Sequence, residues 1–228
     1  MNGKLRQVFR ELGILDGCCY LLASALARAS GGRLGIFSYR FFAQPLHAAA
    51  RCGSRGRSIE VRLEGHALQP ERFKRDATVL QRRSGQGAHC LAAYRQEELA
   101  GFLWYCAGAY EEDEVRARFE FPASAVWDFD VQVLTEFQLG FTFARLWDEA
   151  SLRLRAEGKR WSLSRISAFN HASQRAHLRL GATQIGRAVF LRASQWQWMA
   201  STVWPYWHLS LGPDDSPRLR LPVPAEAP

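Results

Sequence analysis

The stretch from Ala125 to Gly181 constrains the fold more than any other part of this 228-residue chain. It opens with VWDFDVQVL, in which Phe129, Val131 and Val133 alternate with polar residues, as in a strand with one buried face. A helix that ends at Gly158 is predicted next. Its apolar residues recur at helical spacing: Phe143, Leu146, Trp147, Ala150 and Leu154. This spacing leaves Arg145, Asp148, Glu149 and Arg153 on the outer face, with Glu149 and Arg153 placed to pair. The runs RWSLSRISAF, HASQRAHLRL and AVFLR then predict a strand, a short helix that Asn170 can cap and that stops at Gly181, and a further strand.

The order of these elements, together with two motifs, resembles the second half of the GCN5-related N-acetyltransferase (GNAT) fold. VQVLTEFQLGFTFARLWDEA is similar to the family's valine-rich strand, Pro-Glu-aromatic turn, glycine loop begun by Arg or Gln, and helix ending in Asp-Glu-Ala. NHASQRAHLRLGA is similar to its later signature of Asn, two residues, Ser or Ala, an aromatic, and Gly-Phe. The resemblance covers about residues 58–193. It implies an α/β (α+β) fold with a mixed, mostly antiparallel central sheet flanked by helices.

The rest of the chain divides into segments of different composition. Residues 1–50 predict a helix–helix–strand extension, because Gly13 ends one apolar helical stripe and Gly31 and Gly32 stop a second helix. Residues 51–57, RCGSRGR, are typical of a linker. One or two helices are predicted within 66–87, between the first two strands of the domain. HCLAAYRQEELAGFLWYCAG then predicts two strands joined by the polar turn Arg95 to Glu98. Residues 194–211 are rich in aromatic residues, and the Pro-rich residues 212–228 are expected to be disordered.

The N-terminal extension has two interpretations. In the first, it packs on the domain or pairs two subunits in a homodimer. In the second, it forms an amphipathic surface that docks on a membrane or on an acyl carrier protein, as basic helices with one apolar face can.

Charge and cysteine content limit the choice of partner and location. The net charge of +8 suits an anionic partner, but the basic residues are scattered and no nucleic-acid recognition motif is present, so no nucleic acid is expected. Five cysteines without a CxxC motif or a signal peptide favour a reducing cytoplasm. The longest apolar run, CCYLLASALA, is shorter than a membrane-spanning helix. No spacing of histidine, cysteine and carboxylate indicates a metal site.

The resemblance implies that the co-substrate is acetyl-CoA or another acyl-CoA. If strand 125–134 parts from strand 161–169, its free edge can pair with the pantetheine arm as an added strand would. The helix that starts near Gly140 would then direct its N–H groups at the pyrophosphate. The residues implied in cofactor binding are Val131, Val133, Leu134, Gln138, Leu139, Gly140, Phe141, Thr142, Phe143, Asn170 and Ser173.

The pyrophosphate loop departs from the family pattern. Aligned on Gln138, the two positions where the family has small residues are occupied by Phe141 and Phe143, while Gly140 lies one place early. Glycine lets the backbone approach a phosphate without a Cβ atom between them. Three alternatives follow: the loop is rebuilt around Gly140, the donor is held differently, or the site has decayed.

The chemistry of acyl transfer to an amine requires a base, an oxyanion donor and a proton for the departing thiolate. Asp128 and Asp130 lie near the place where the family often has its base. A backbone N–H near Val133 or Leu134 would serve the oxyanion. His177, at the position where many members have a tyrosine, would protonate the thiolate if its neighbours keep it charged.

The sequence therefore predicts an acyl-CoA-dependent N-acyltransferase, most simply an N-acetyltransferase acting by direct attack in a ternary complex. The carboxylates at 111–114, 128 and 130 favour a cationic amine acceptor. Two alternatives stay open. One is a long-chain N-acyltransferase that uses acyl-CoA or an acyl carrier protein and has an apolar loop at Phe141 and Phe143. The other is a catalytically inactive binding module that retains the fold.

Overall fold

The computed structural model describes residues 3–65, 73 and 75–225. The helices within these residues are α1 Gly3–Ala29, α2 Ala77–Gly85, α3 Thr142–Ala156 and α4 His171–Arg179, with a 3-10 turn at Thr135–Phe137. The strands are β1 Leu34–Pro45, β2 Ile59–Glu64, β3 His89–Arg95, β4 Glu98–Ala107, β5 Ala109–Glu111, β6 Arg118–Glu120, β7 Ala125–Val133, β8 Trp161–Ser167, β9 Thr183–Ala193, β10 Trp196–Ser201, β11 Trp207–Ser210 and β12 Arg218–Arg220. The predicted mixed α/β class, with mostly antiparallel strands flanked by helices, is confirmed. Most of the predicted segment 66–74 lies outside the described residues.

The chain forms two compact units that interleave in sequence. One unit combines residues 1–44, 111–120 and 165–224, and the other combines residues 45–110 and 121–164. These boundaries cut across the predicted segment 58–193. The N-terminal extension therefore shares a unit with the C-terminal part of the chain.

The unit of residues 45–110 and 121–164 is built on strands in the order β8-β7-β4-β3-β2. All neighbours are antiparallel except β7 and β8, which are parallel. The predicted hairpin between β3 and β4 turns at Gln96 and Glu97, which both adopt left-handed φ angles of 51° and 63°. Helix α3 packs on this sheet through its apolar stripe, in which Leu146, Ala150 and Leu154 are buried. The predicted ion pair on its outer side, Glu149 with Arg153, is present at 2.6 Å.

The other unit contains strands in the order β11-β10-β9-β1, all antiparallel. Gly13, with φ 74° and ψ −178°, interrupts α1 where the sequence predicts the first helix to end. The expectation of a disordered tail from residue 212 is wrong for its central part. β12 pairs in parallel with β6, and this pairing buries Leu219 and Leu221, whose apolar side chains the Pro-rich composition obscured.

The apolar stretch of helix α1 is longer than the run CCYLLASALA singled out in the sequence. An 18-residue window, Leu12–Ala29, has mean hydropathy 1.4, is 6% buried, and is long enough to cross a membrane by length and composition only. The charges inside it are few, and Asp16 is paired with Arg40 of β1 at 2.6 Å.

The close approach of β4 and β7 at Gly101 gives a stability prediction. A Cβ atom at Gly101 would lie 2.7 Å from the Gln132 carbonyl oxygen and 3.3 Å from the Val133 Cα. Because these are backbone atoms, β7 itself would have to move, and we expect Gly101→Ala to lower the free energy of unfolding by about 1–3 kcal/mol. Gly65→Ala is the matched control, since no atom of the residues that the structure describes lies within 4 Å of a Cβ atom there. Equal denaturation midpoints for the two variants would contradict the prediction.

Candidate active site

Strands β7 and β8 separate soon after they pair. Their parallel ladder consists of Ala125 with Trp161, Val126 with Ser162 and Trp127 with Leu163. β7 continues for six more residues, to Val133, without further pairing to β8. The predicted parting of two neighbouring strands is therefore observed, and Asp128 is the first residue of β7 beyond the ladder.

A β-bulge at Asp130 changes the direction of β7 beyond this point. On the β4 side, Phe129 lies opposite Trp104 and Gln132 opposite Phe102, so β7 has one residue more than β4 in this interval. Asp130 adopts φ 49°, a left-handed conformation that is uncommon for residues other than glycine. Because of the extra residue, the period-two pattern of the sequence does not continue through the strand.

Alternation of backbone groups leaves one edge of β7 facing away from β4. The Leu134 N–H donates to the Ala100 carbonyl at 2.9 Å, so the backbone groups of Leu134 are directed towards β4 and those of its neighbour Val133 are directed away from it. Of the two candidate oxyanion donors, Val133 therefore has the N–H on the unpaired edge, whereas that of Leu134 is already used. The Val133 carbonyl accepts a hydrogen bond from Gln138 Nε2 at 3.3 Å.

Helix α3 begins beside this edge without a side-chain cap. Its N-cap residue is Phe141, and the first intrahelical hydrogen bond runs from the Arg145 N–H to the Phe141 carbonyl at 2.8 Å. The N–H groups of Thr142 and Ala144 precede that bond and, as in the first turn of any α-helix, have no acceptor within the helix. Such a helix start carries partial positive charge and can accept an anion.

The two phenylalanines of the loop have different environments. Phe143 is half-buried, and its ring packs edge-on against Trp147 with centroids 6.4 Å apart. Phe141 is 41% exposed, and Leu139 is fully exposed. A Cβ atom at Gly140 would meet only the Phe137 carbonyl oxygen, at an ordinary contact distance of 3.4 Å. Packing therefore does not require glycine at 140.

The linker-like segment 51–57 is in fact held against α3. Both oxygens of Asp148, a buried residue that helical spacing had placed on the outer face, accept backbone N–H groups at 2.8 Å from Arg51 and Cys52. The Arg55 guanidinium lies over the Phe141 ring, 5.3 Å from its centroid. Segment 51–57 therefore forms part of the wall around the helix start.

A cavity of about 350 Å³ opens at this place. Its polar lining comes from the side chains or backbone of Ser58, Arg95, Glu136 and Thr142, and its apolar lining includes Ile59, Phe137, Leu139 and Phe141. Sequence reasoning missed Ser58, which directly precedes β2, and Arg95, the last residue of β3, because no motif links them to the loop.

The two candidate bases lie on opposite faces of β7, although the alternating pattern predicted the same face. The bulge is the physical reason. The Arg83 guanidinium lies over the Phe129 ring at 5.1 Å and bonds to Asp130, so Asp130 lies on the Phe129 side. Asp128, adjacent to Phe129, points to the other side and accepts the Ser162 hydroxyl at 2.8 Å.

Asp130 is held by two arginines. Arg75 Nε donates to Asp130 Oδ2 at 2.8 Å and its Nη2 contacts Oδ1, while Arg83 Nη1 donates to Oδ2 at 2.7 Å. Burial alone would raise the pKa of Asp130, but the hydrogen bonds and charges of Arg75 and Arg83 outweigh it and lower the pKa below its usual value. The carboxylate is ionised and engaged, which makes it a weak base.

Asp128 has the opposite electrostatic environment. Its side chain is 2% exposed, and burial raises its pKa to about 7, with the Ser162 hydrogen bond acting in the other direction. Ser162 and a second buried serine, Ser164, lie on β8 at the same end of the ladder. A carboxyl group with a pKa near the working pH suits proton transfer.

In the motif NHASQRAHLRLGA, the first role of Asn170 and Ser173 is to cap helix α4. Asn170 Oδ1 accepts the Ser173 N–H at 3.0 Å, which confirms the predicted cap of α4. His177 is 4% exposed, and burial lowers its pKa to about 4. The ring is therefore neutral at pH 7, so it lacks the charge that the predicted proton donor needs.

Among the described residues, no group of three or more His, Cys, Asp or Glu could hold a metal ion.

The acidic run at 111–114 is largely neutralised. Arg165 pairs with Glu112 at 2.7 Å and with Glu114 at 3.1 Å, and the Tyr39 hydroxyl donates to Glu114 at 2.8 Å. Glu111 pairs with Arg118 at 3.1 Å. These carboxylates give less support to a cationic acceptor than the sequence suggested.

Comparison with known proteins gives likenesses of fold only. No protein-family model matches the sequence, and no curated protein matches it. Among solved structures, a functionally unknown conserved protein from Staphylococcus epidermidis has 14% identity and TM-score 0.49, with 75% of this chain and 67% of that chain covered. A putative acetyltransferase of the GNAT family from Novosphingobium aromaticivorans has 11% identity and TM-score 0.46, with 68% and 62% covered.

A third similar structure is a tandem GNAT protein from the clavulanic acid biosynthesis pathway. It has 17% identity and TM-score 0.48, with 84% of this chain and 59% of that chain covered. The chain thus spans less than two thirds of the length of two of these three proteins. At these identities and TM-scores no family is established.

Proposed function

We propose that the chain transfers an acyl group from a CoA thioester to an amine. The observation that carries this proposal is the end of the β7–β8 ladder after Trp127 and Leu163, which leaves the edge of β7 unpaired beside the uncapped start of α3. The resemblance of residues 125–181 to the GNAT motifs supports the same function.

The donor would bind along this edge. The pantetheine amides would pair with the backbone of Val131 and Val133, as a strand added to a sheet does. The pyrophosphate would lie at the start of α3, at the N–H groups of Thr142 and Ala144, with Arg95 and Ser58 near it in the cavity. Of the three alternatives for the loop, the open helix start favours a loop rebuilt around Gly140.

The reaction would be a direct attack. A base removes a proton from the ammonium group of the acceptor, the amine nitrogen attacks the thioester carbonyl carbon, and the carbon–sulfur bond breaks to release the CoA thiolate, which then takes up a proton. Asp128 is the base that the structure favours, because its carboxyl has a raised pKa and lies where the ladder ends. The Val133 N–H is the oxyanion donor.

The acyl group is proposed to be short. A donor whose phosphates lie at α3 directs its acyl end back along β7 towards the end of the ladder. Asp128, Ser162 and Ser164 are buried there, and a long alkyl chain would have to be placed against polar groups. This arrangement favours acetyl-CoA over the long-chain alternative, whose support is the exposed apolar pair Leu139 and Phe141.

Donor binding tests the proposal directly. Acetyl-CoA should raise the melting temperature by mass action, and at a concentration of 100 Kd the gain is about 2.7 kcal/mol. A larger rise with octanoyl-CoA than with acetyl-CoA would support the long-chain enzyme. No rise with CoA, acetyl-CoA or octanoyl-CoA would leave the inactive binding module.

The Gly140→Ala variant separates donor binding from folding. Since the new methyl group makes only an ordinary contact within the protein, we expect the melting temperature without ligand to be unchanged. A methyl group in the loop that leads into α3 would keep the pyrophosphate from approaching the backbone closely, so the Kd of acetyl-CoA should rise several-fold. Gly212→Ala, with nothing within 4 Å of its Cβ atom, is the control and should change neither quantity. An unchanged Kd for Gly140→Ala would place the pyrophosphate elsewhere.

Location and assembly remain proposals. We propose a cytoplasmic protein, because the five cysteines are all unpaired. The amine acceptor and a homodimer through the N-terminal extension stay predictions. Measuring CoA release in the presence of each of a set of amines would test the acceptor. Light scattering, which gives the mass in solution, would test the homodimer.

A further inference from the structure

One face of the three-stranded meander β9–β10–β11 is apolar and exposed. Trp198 lies directly opposite Leu191 on one side and Leu209 on the other, and Ala200 lies opposite Trp207. We call this set the aromatic face: Leu191, Trp196, Trp198, Trp207 and Leu209. These side chains are respectively 42%, 58%, 39%, 70% and 46% exposed.

The aromatic face is separate from the core of its own unit. The alternate residues of the same strands, Phe190 and Met199, are fully buried on the opposite side of the sheet. The segment between β10 and β11 contains two further exposed rings, Trp204 at 50% and Tyr206 at 64%. The sheet therefore has an apolar surface that its unit does not cover, and contiguous exposed apolar surface of this kind marks an interaction site.

The outward positions of the meander carry a positive charge and no negative one, and the nearby Asp16 of α1 is already paired with Arg40, which lies opposite Arg187 on β1. Arg187 is exposed and lies an even number of residues before Leu191 on β9, hence on the same side of the sheet. No carboxylate occupies the outward positions of β9 from Arg187 to Ala193, of β10 or of β11. Residues 165–224 contain seven arginines and only two carboxylates, Asp214 and Asp215. His208 engages Asp215 at 2.9 Å.

We propose that the aromatic face docks the chain on a membrane surface that contains anionic phospholipids. Tryptophan and tyrosine prefer the interface between headgroups and acyl chains, where an apolar ring and a polar N–H or O–H are both accommodated. Arg187 would reach lipid phosphate groups. An isologous pairing of two copies through this face offers Arg187 no carboxylate, so charge complementarity favours the anionic lipid surface over a second copy.

Helix α1 belongs to the same unit and provides another surface of this kind. Its window Leu12–Ala29 is 6% buried, and Ile14, Tyr20 and Leu22 are exposed. Apolar faces on interfacial helices bind membranes in proportion to the area that they bury. Binding through the aromatic face must therefore be distinguished from binding through α1 alone.

The test is co-sedimentation of the full chain with phosphatidylcholine vesicles, with and without phosphatidylserine. The variant Trp198→Ser/Trp207→Ser changes two exposed rings and should retain the melting temperature. We expect its partition coefficient on the anionic vesicles to fall at least about tenfold. The matched control is Leu63→Ser/Leu152→Ser, which changes two exposed apolar residues of the other unit, 46% and 43% exposed, and should bind as the unchanged protein does.

A charge variant completes the test. Arg187→Glu should weaken binding to the anionic vesicles several-fold and leave binding to phosphatidylcholine alone nearly unchanged. Full binding by the double tryptophan variant would overturn the proposal and assign binding to α1. So would a failure of the unchanged protein to bind, or a dimer in light scattering that the same variant converts to a monomer. None of these readouts depends on acyl-CoA.

Discussion

Asp128→Asn is expected to lower kcat/KM for acyl transfer by about 10²–10⁴-fold, the range for loss of a general base. Asparagine keeps the size of the side chain and can still bond to Ser162, so the Kd of acetyl-CoA should not change. The base acts when deprotonated, and burial raises its pKa to about 7. The rate of the unchanged protein should therefore rise with pH through about 7 and then level, and the variant should lose this rise.

Two further measurements distinguish a base from a structural carboxyl. Ser162→Ala removes a hydrogen bond that lowers the pKa of Asp128, so the rise in rate should move to higher pH. The folded protein also retains a proton on Asp128 that the unfolded chain, with the ordinary pKa of an aspartate near 3.9, has lost by neutral pH. Stability should therefore decrease as pH rises from about 4 to about 7, and it should decrease less in Asp128→Asn. Unchanged activity in that variant would assign the base to another residue.

Asp130→Ala is expected to destabilise the fold by about 3 kcal/mol, at the lower end of the cost of removing one partner from a buried ion pair. The Arg83 side chain is only 7% exposed and would be left without its carboxylate. This loss is a large part of the stability of an ordinary domain. Urea denaturation at pH 7 measures it, and Glu97→Ala is the control, because its pair with Arg62 is exposed and contributes little.

The contribution of Asp130 to folding stability depends on pH with the opposite sign to that of Asp128. Its folded pKa is lowered, so its contribution is present above the usual pKa of an aspartate and is lost as pH falls through the lower folded value. If loss of the ion pair causes the destabilisation of Asp130→Ala, the double variant Asp130→Ala/Arg83→Met should recover part of the lost stability. In that variant no Arg83 charge remains buried beside Trp104 and Phe129. Equal stabilities for the unchanged protein and Asp130→Ala would contradict the structural role.

Elements whose pattern is local were predictable from the sequence. The stripe of Leu146, Ala150 and Leu154 identified α3, because helical periodicity repeats within a few residues. Gly13 marked the interruption of α1, and Asn170 marked the cap of α4, because both act on backbone within one turn. The separation of β7 from β8 was also predicted, but through the family resemblance.

The candidate site was predicted less completely, because its properties depend on distant residues. Asp128 and Asp130 look equivalent in VWDFDVQVL, and only the bulge opposite β4 places them on different faces. His177 was expected to hold a charge, yet its burial favours the neutral ring. Nothing in the sequence indicated that the backbone of Arg51 and Cys52 binds the Asp148 side chain. Asp148 lies in another element, and helical spacing predicted it on the solvent face.

The sequence by itself determined the order of helices and strands, the positions where several of them end, and the residue types available for acyl transfer. Tertiary structure alone decided which carboxyl group is buried without a cation, which one is bound by two arginines, and which apolar residues of the meander remain exposed. The physical reason is that periodicity and capping are set by neighbours a few residues apart. A pKa or an exposed surface is set by whatever the fold brings within a few ångströms.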